Sequence, residues 1–493
     1  MHGHLTLATT LSGVAVISIL SQTVILFLSI LNIQFRGIMM IKKPTLIALT
    51  LCSLFSTTAV IAKMTSEEVA RLGADLTPLG AEKAGNADGS IPAWTGGITK
   101  APAGYTPGMH HPDPYADDKV LFTIDKSNVD KYKANLSPGQ VALFEAYPDT
   151  FKMNIYTTHR SASNPQFVYD ATKKYAPTAE LIEEGNGIKN TAIGIPFPIP
   201  KTGLEAIWNH LLRYRGLSIE RFGGQAAPIA SGSYNLVGFD EQLLVKYSDP
   251  KATPAELQES NILFKFKQKV TEPARLAGTA LLVHETMDQI LTPRQAWTYN
   301  SGQRRVRRAP NVAYDAPGTA ADSLRTTDDF DMFNGSPNRY TWTLKGKQEL
   351  YVPYNSYKLH SDKLQYDDIL MAGHINPEHV RYEKHRVWVV EADLKGDTRH
   401  IYKKRVFYID EDSWQVQVTD IYDNRDQMYR VAMAHTINYY DALTNWSTLD
   451  VYYDLNSRRY LAIGLDNQEK MYDFSQSFND NEFTSSALRR EGR

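Results

Sequence analysis

The sequence predicts an α+β protein in which one large antiparallel sheet is covered by a few helices. Three observations carry that expectation. Three turn clusters, Lys395-Gly396-Asp397, Asp410-Glu411-Asp412-Ser413 and Asp423-Asn424-Arg425-Asp426, divide residues 381–438 into four strand-length segments. Connections this short join only antiparallel neighbours. Within the third segment Trp414, Val416 and Val418 alternate with Gln415, Gln417 and Thr419, the period of a strand with one wet face. In the second, Val406 and Tyr408 point one way and Phe407 and Ile409 the other, so that strand is covered on both sides. Finally, several capped helical segments supply the cover that an apolar sheet face needs.

The composition belongs to an ordinary globular protein: 493 residues, 42% hydrophobic, 22% charged and a formal net charge of -2. Nothing in that balance points to nucleic acid. Residues 40–62 read as an export signal, with Lys42 and Lys43, an apolar run over 46–55, and Val60-Ile61-Ala62 at the cleavage position. The mature chain is expected to begin near Lys63. The sole cysteine, Cys52, would leave with the signal, and Leu51 before it is not the small residue that lipidation requires. Residues 11–35 are apolar over a length that could span a bilayer. An anchor ahead of a complete signal is redundant, so residues 1–39 are read as a leader preceding a true start at Met39 or Met40. A mature chain without cysteine is compatible with an oxidising compartment. Residues 63–493 are read as a single large domain.

Along that domain, Thr65 and Glu68 form a capping box for a helix over 65–76, with Pro78 beyond its end. Residues 78–118 are rich in Gly, Pro, Asn and Asp and are expected to form a long irregular segment on the surface of the body. Ser137-Pro138-Gly139-Gln140 opens a second helix running to about Ala146, and residues 152–159 alternate like a strand. The run Pro196-Phe197-Pro198-Ile199-Pro200 is an extended approach. It leads into the clearest helix, 203–215, in which Leu204, Ile207, Trp208, Leu211 and Leu212 form an apolar stripe and Gly216 is placed as terminator. Thr253-Pro254-Ala255-Glu256 opens another helix, followed by strands over 262–270, 280–287, 295–299 and 304–308, and by a hairpin pairing 339–344 with 348–352 about Lys345-Gly346-Lys347. No internal repeat or low-complexity tract is present.

Motifs for chemistry are sparse. Asn86-Ala87-Asp88-Gly89 matches part of a calcium loop, but Ala84 and Thr95 occupy positions that need acidic ligands. His110, His111, His374, His379 and His385 lack the helical pair spacing of zinc enzymes, so no metal site is expected. No nucleophile elbow, Walker loop or dinucleotide fingerprint occurs; no catalytic residue or cofactor is nominated, and the protein is read as a non-enzyme. Arg304, Arg305, Arg307 and Arg308 precede Asp328, Asp329 and Asp331. These charges are expected to pair across the sheet surface or stay solvated; in the functional alternative the arginines hold anionic head groups at the mouth of a cavity. The chain has 28 tyrosines and is 11% aromatic, which allows an aromatic, ligand-facing sheet surface. Trp342, Trp388 and Trp414 are its candidates alongside the arginines.

Four stretches, 203–216 behind the proline-rich approach, 304–310, 328–337 with its hairpin, and 374–414, together resemble a Gram-negative family catalogued as a domain of unknown function. That family is similar to the outer-membrane lipoprotein-sorting proteins LolA and LolB. The resemblance covers nearly all of the mature chain, which is longer than a typical sorting protein and has no evident lipobox. It implies a large curved antiparallel sheet, an incomplete barrel closed by helices, that shelters acyl chains from water. The expectation is a carrier of lipid or another hydrophobic small molecule in the periplasm, associated with the outer membrane and working beside an exporter or outer-membrane protein. The alternative is a structural or interaction protein of the envelope whose sheet is filled by its own side chains.

Overall fold

The four segments between the turn clusters form four consecutive antiparallel strands, and the sheet extends from them in both directions. The computed structural model describes residues 63–310 and 312–491; the apolar stretch 11–35, the export signal 40–62 and Cys52 lie outside the described residues. In chain order the strands are β1 (Phe122–Ile124), β2 (Met153–Ile155), β3 (Glu180–Ile182), β4 (Gly187–Lys189), β5 (Ser218–Ala226), β6 (Leu236–Leu244), β7 (Ile262–Val270), β8 (Ala280–Thr286), β9 (Gln295–Asn300), β10 (Arg305–Arg308), β11 (Tyr340–Pro353), β12 (Tyr382–Leu394), β13 (Lys404–Asp410), β14 (Val416–Tyr422), β15 (Met428–Tyr439), β16 (Thr444–Asp454) and β17 (Arg459–Leu465). The helices are α1 (Ser66–Arg71), α2 (Pro138–Ala146), α3 (Gln166–Tyr175), α4 (Gly203–Leu212), α5 (Pro254–Ser260), α6 (Tyr366–Ile369) and α7 (Ser485–Glu491).

Fifteen strands make one open sheet in the order β1-β2-β12-β13-β14-β15-β16-β17-β5-β6-β7-β8-β9-β10, with β11 paired to β12, while β3 and β4 pair separately. Apart from one parallel contact of Tyr382 with Ile155, every pairing in the large sheet is antiparallel. The sheet curls: the segment after β11 returns to β15, where the Ser356 N–H donates to the Thr436 carbonyl at 2.8 Å and the Tyr357 hydroxyl to the Asn438 carbonyl at 2.8 Å.

Both faces are covered. Phe407, Ile409, Val390 and Ala432 pack into a core beneath α4, and Val406, Tyr408, Val389 and Val431 into a second core with Leu143 and Phe144 of α2. The second segment is thus apolar on both sides, as its pattern requires. The third departs from expectation: Gln415, Gln417 and Thr419 are as buried as their apolar neighbours, so β14 has no wet face. Cover on that side comes from segments distant in sequence, which local alternation does not encode.

The capping boxes at Thr65, Ser137, Thr202 and Thr253 all form. Helix α1 stops at Arg71, and α4 stops at Leu212 because Arg213 turns to extended backbone and its guanidinium folds back onto the His210 carbonyl at 2.7 Å. Gly203 sets how closely α4 approaches the sheet, since a Cβ there would lie 2.8 Å from the Thr343 nitrogen. The predicted hairpin over 339–352 is instead one strand, β11, running the full length of β12; Gly346, at φ +103°, absorbs the irregularity as a bulge. The strand predicted over 152–159 shrinks to β2, whereas β5, β6, β16, β17 and α3 are additions to the predicted elements. Residues 78–118 form no helix or named strand; they lie against the body, the Trp414 indole donating to the Leu79 carbonyl at 3.0 Å. Among the described residues no helix is long and apolar enough to cross a membrane.

Candidate functional site

One face of β7, β8 and β9 forms the floor of an apolar cavity. Strand periodicity puts Phe264 and Phe266 of β7, Leu281 and Val283 of β8 and Thr298 of β9 on the same side, and register brings Phe266 opposite Val283 and Leu281 opposite Thr298. The roof comes from residues 309–310 and 312–334, which contribute Ala309, Val312, Phe330 and Arg325, and the cavity volume is about 210 Å³.

The roof is held through three carboxylates, Asp328, Asp329 and Asp331, that lie within four consecutive positions. Asp328 accepts from Arg405 at 2.9 Å, His400 at 3.1 Å and the Thr326 hydroxyl at 2.5 Å. Asp329 accepts from the Tyr402 hydroxyl at 2.7 Å and the Thr326 N–H at 2.9 Å. Asp331 accepts from Arg213 at 2.6 Å, from the Trp446 indole at 3.1 Å and from Arg215. Burial alone would push the Asp328 and Asp331 carboxyls up, but Arg405 beside the first, and Arg213 and Arg215 beside the second, hold both well below the ordinary carboxylate range. Breaking one partner from a buried pair of this kind costs about 3–5 kcal/mol, so the roof is a fixed part of the fold. Phe330, between these anchors, points into the cavity and packs on Phe266 at 5.5 Å between ring centroids.

Two arginines line the cavity, and they differ in what they hold. Arg294 is fully engaged: it donates to Glu285 at 2.6 Å, the Val312 carbonyl at 2.7 Å and the Asn334 carbonyl at 2.6 Å, tying floor to roof. Arg325, 6% exposed, forms no ion pair among the described residues. One nitrogen donates to the Thr326 carbonyl at 3.0 Å, its Nε has no partner, and its guanidinium lies 5.7 Å from the Phe330 ring centroid. Gly318 leaves it room, for a Cβ at that position would fall 2.8 Å from the Arg325 Cζ. An unpaired buried cation beside apolar walls is suited to an anionic group on a largely apolar ligand.

Beyond Phe330, which borders both spaces, a much smaller polar hollow is lined by Arg221, Glu241, Trp446, Asp450 and Tyr472. Burial, together with the neighbouring Asp331, pushes the Asp450 carboxyl up to about 7.

The side chains nominated from sequence lie elsewhere. Arg304, Arg305, Arg307 and Arg308 are exposed on and beside edge strand β10 and make no side-chain hydrogen bond or ion pair among the described residues. The expectation that they pair with Asp328, Asp329 and Asp331, or that those carboxylates stay solvated, is overturned: all three are buried against Arg213, Arg215 and Arg405. Long-range pairing decided this, and sequence proximity misled. Trp342 stacks on Phe407 at 5.7 Å between centroids and meets Phe333 edge-on at 5.3 Å. Trp414 is fully buried, and Trp388 stacks on it at 6.3 Å with Lys347 above. None of the three tryptophans lines the cavity. The floor residues fall within strands that were predicted, so their shared face was legible. Arg325 sits in an irregular segment with no periodicity to single it out.

A family model described as "Protein of unknown function (DUF1329)" matches residues 123–489. The chain is 54% identical over 436 residues to an uncharacterized protein of Pseudomonas aeruginosa, a match spanning 88% of this chain and 95% of that one. Among solved structures it is similar to a DUF1329 family protein of Desulfovibrio piger ATCC 29098, at a TM-score of 0.39 and 14% identity over 57% of this chain and 95% of the other. It is also similar to a LolA superfamily protein of Nitrosomonas europaea, at a TM-score of 0.34 and 13% identity over 58% of this chain and all of that one.

Proposed function

We propose, for a chain that belongs to the DUF1329 family of unknown function, that it is a non-enzymatic carrier of an amphiphile with an apolar tail and a single anionic head. The observation that carries the reading is the apolar cavity over β7–β9 with Arg325 unpaired in its wall. An unsatisfied charge in a low-dielectric site costs several kcal/mol, and a carboxylate or phosphate head would offset that cost. Each methylene moved from water into the cavity adds about 0.8 kcal/mol. Tail and head therefore contribute separately, one through area and the other through charge. The export signal read at residues 40–62 supports a working place outside the cytoplasm, in the periplasm, where an exporter or outer-membrane protein would hand over or receive the ligand.

The test is binding of a dansylated fatty acid to the mature protein, with lipid extraction of protein purified from envelopes without delipidation. Wild type should bind the probe and yield a stoichiometric anionic amphiphile. Arg325→Met should weaken the acid at least tenfold while leaving the uncharged dansyl alcohol of equal length unchanged. Failure of the wild type to bind either probe or to yield lipid would leave only the scaffold reading.

A further inference from the structure

A second site lies outside the cavity, around the turn cluster Asp410-Glu411-Asp412-Ser413. His385 of β12, Asp410 at the end of β13 and Asp412 in the turn are all buried, and each offers a ligand atom within 4.8 Å of the other two. Three ligand-type side chains converging in a core need a reason, and their hydrogen bonds supply one.

His385 Nε2 lies 3.2 Å from the Glu383 carboxylate. Glu383 is itself held by Arg381 at 2.5 Å, Asn355 at 2.9 Å and the His159 N–H at 2.8 Å. A carboxylate only accepts, so Nε2 carries a proton, and in the neutral imidazole that a metal ligand requires Nδ1 presents the lone pair. That lone pair faces Asp410 Oδ1 at 3.8 Å, too far for a hydrogen bond. Asp410 Oδ2 is saturated, accepting from the Tyr354 hydroxyl at 3.1 Å, the Ser413 N–H at 2.9 Å and the Ser413 hydroxyl at 2.5 Å. Oδ1, by contrast, accepts from nothing although Asp410 is fully buried. Two acceptors thus confront each other across a gap. Ligands at bond lengths of about 2.0–2.2 Å on a tetrahedral ion stand roughly 3.3–3.6 Å apart, close to the observed separation.

The charges point the same way. Asp412 is matched by Arg160 at 2.7 and 2.8 Å, and Glu411 by Arg386 at 2.9 Å and Lys347 at 2.7 Å. Among the described residues Asp410 forms no ion pair with a lysine or arginine. We propose that His385, Asp410 and Asp412 bind one divalent transition-metal ion of the zinc class, with Glu383 as the positioning carboxylate behind the imidazole. An imidazole with two carboxylates suits zinc better than magnesium or calcium, which prefer all-oxygen sites, and the His385–Glu383 hydrogen bond is the arrangement that orients metal-bound histidines. Buried as it is, the ion serves as a structural clip between the turn and β12. The site is independent of the cavity and of any ligand there.

The experiment uses the full mature chain, stripped with chelator and titrated with Zn²⁺ alone, reading bound metal by elemental mass spectrometry and the melting temperature. Expected are one zinc per chain, a melting temperature that rises with Zn²⁺ and not with Mg²⁺, and at least tenfold weaker binding in Asp410→Asn. His385→Gln, a second variant at the same centre, should lose the zinc-dependent rise, while His374→Gln keeps it. A wild-type chain that takes up no zinc at one equivalent, or an Asp410→Asn variant that binds as tightly as wild type, overturns the proposal. So does a melting temperature that follows pH but not metal, the signature of a proton shared between His385 and Asp410.

Discussion

The two halves of one sheet face make opposite use of the same architecture. Over β11–β15 the face is packed solid: Trp342 stacks on Phe407, Phe333 meets both rings edge-on, Arg405 lies 5.0 Å from the Phe333 ring centroid, and α4 closes the top with Trp208. Over β7–β9 the cover is an irregular roof of small residues, Ala309, Ala316, Gly318 and Thr319 among them, which leaves the cavity. Floors of similar apolarity become core or cavity according to what lies above. A helix brings large side chains at regular spacing, whereas a loop pinned by three carboxylates can span a gap without filling it.

That contrast can be broken most forcefully at the roof anchors and the packed half. Asp331→Asn should cost about 3–5 kcal/mol in urea unfolding and also abolish binding of the fatty-acid probe, because Arg213 and Arg215 lose their shared partner. Phe333→Ala should cost a similar amount, about 3–5 kcal/mol, yet leave probe affinity within twofold in the fraction that remains folded. If both variants lost probe binding in parallel with stability, the division into two halves would not hold.

Overpacking sharpens the comparison at smaller magnitude. Ala434→Phe, in the packed half, should destabilise by roughly 1–3 kcal/mol or more, whereas Val283→Phe projects into the hollow and should change stability by less than about 1 kcal/mol while reducing probe affinity about tenfold. Denaturant midpoints and probe titrations on the pair distinguish the two.

The boundary between the halves titrates in both directions. His210, buried on α4 and near Arg213, has its pKa pushed down to about 3 by burial first and by the adjacent arginines next. Its folded-state pKa is below the unfolded value, so stability falls as pH drops below about 6.5 toward 3. Asp450 is raised from 3.8 to about 7, so the folded state retains a proton the unfolded state releases, and stability declines as pH rises through that interval. The two slopes oppose each other over nearly the same interval, so Asp450→Asn should remove the decline and leave stability rising with pH up to about 6.5, measured as melting temperature from pH 3 to 9.

The smallest effect belongs to the edge. Arg305→Ser with Arg307→Ser should shift stability by no more than about 0.5 kcal/mol and leave probe binding unchanged, since both side chains are exposed and unpaired. A tenfold loss of the anionic probe in that double variant would restore these arginines to the ligand's path.

Much of the scaffold was legible because its causes are local. Turn clusters at 395–397, 410–413 and 423–426 set three antiparallel connections, and hydroxyl caps at Thr65, Ser137, Thr202 and Thr253 opened four helices through bonds to residues three positions on. Strands whose stability comes from neighbours were illegible: β5 carries Gly223-Gly224 and β6 carries Asp240-Glu241, and both are held by pairing across the sheet. Lys345-Gly346-Lys347 has the composition of a turn, yet the continuous partner β12 converts it to a bulge.

By itself, then, the sequence determined the class of protein, an antiparallel sheet with capped helices, because alternation, turns and caps act over a few residues. Only the tertiary structure decided which cations are satisfied and which are not. Arg405 meets Asp328 across 77 positions and Arg213 meets Asp331 across 118, while Arg325, three residues before Asp328, meets no carboxylate among the described residues. Charge pairing in a core depends on distance in space, to which distance along the chain is no guide.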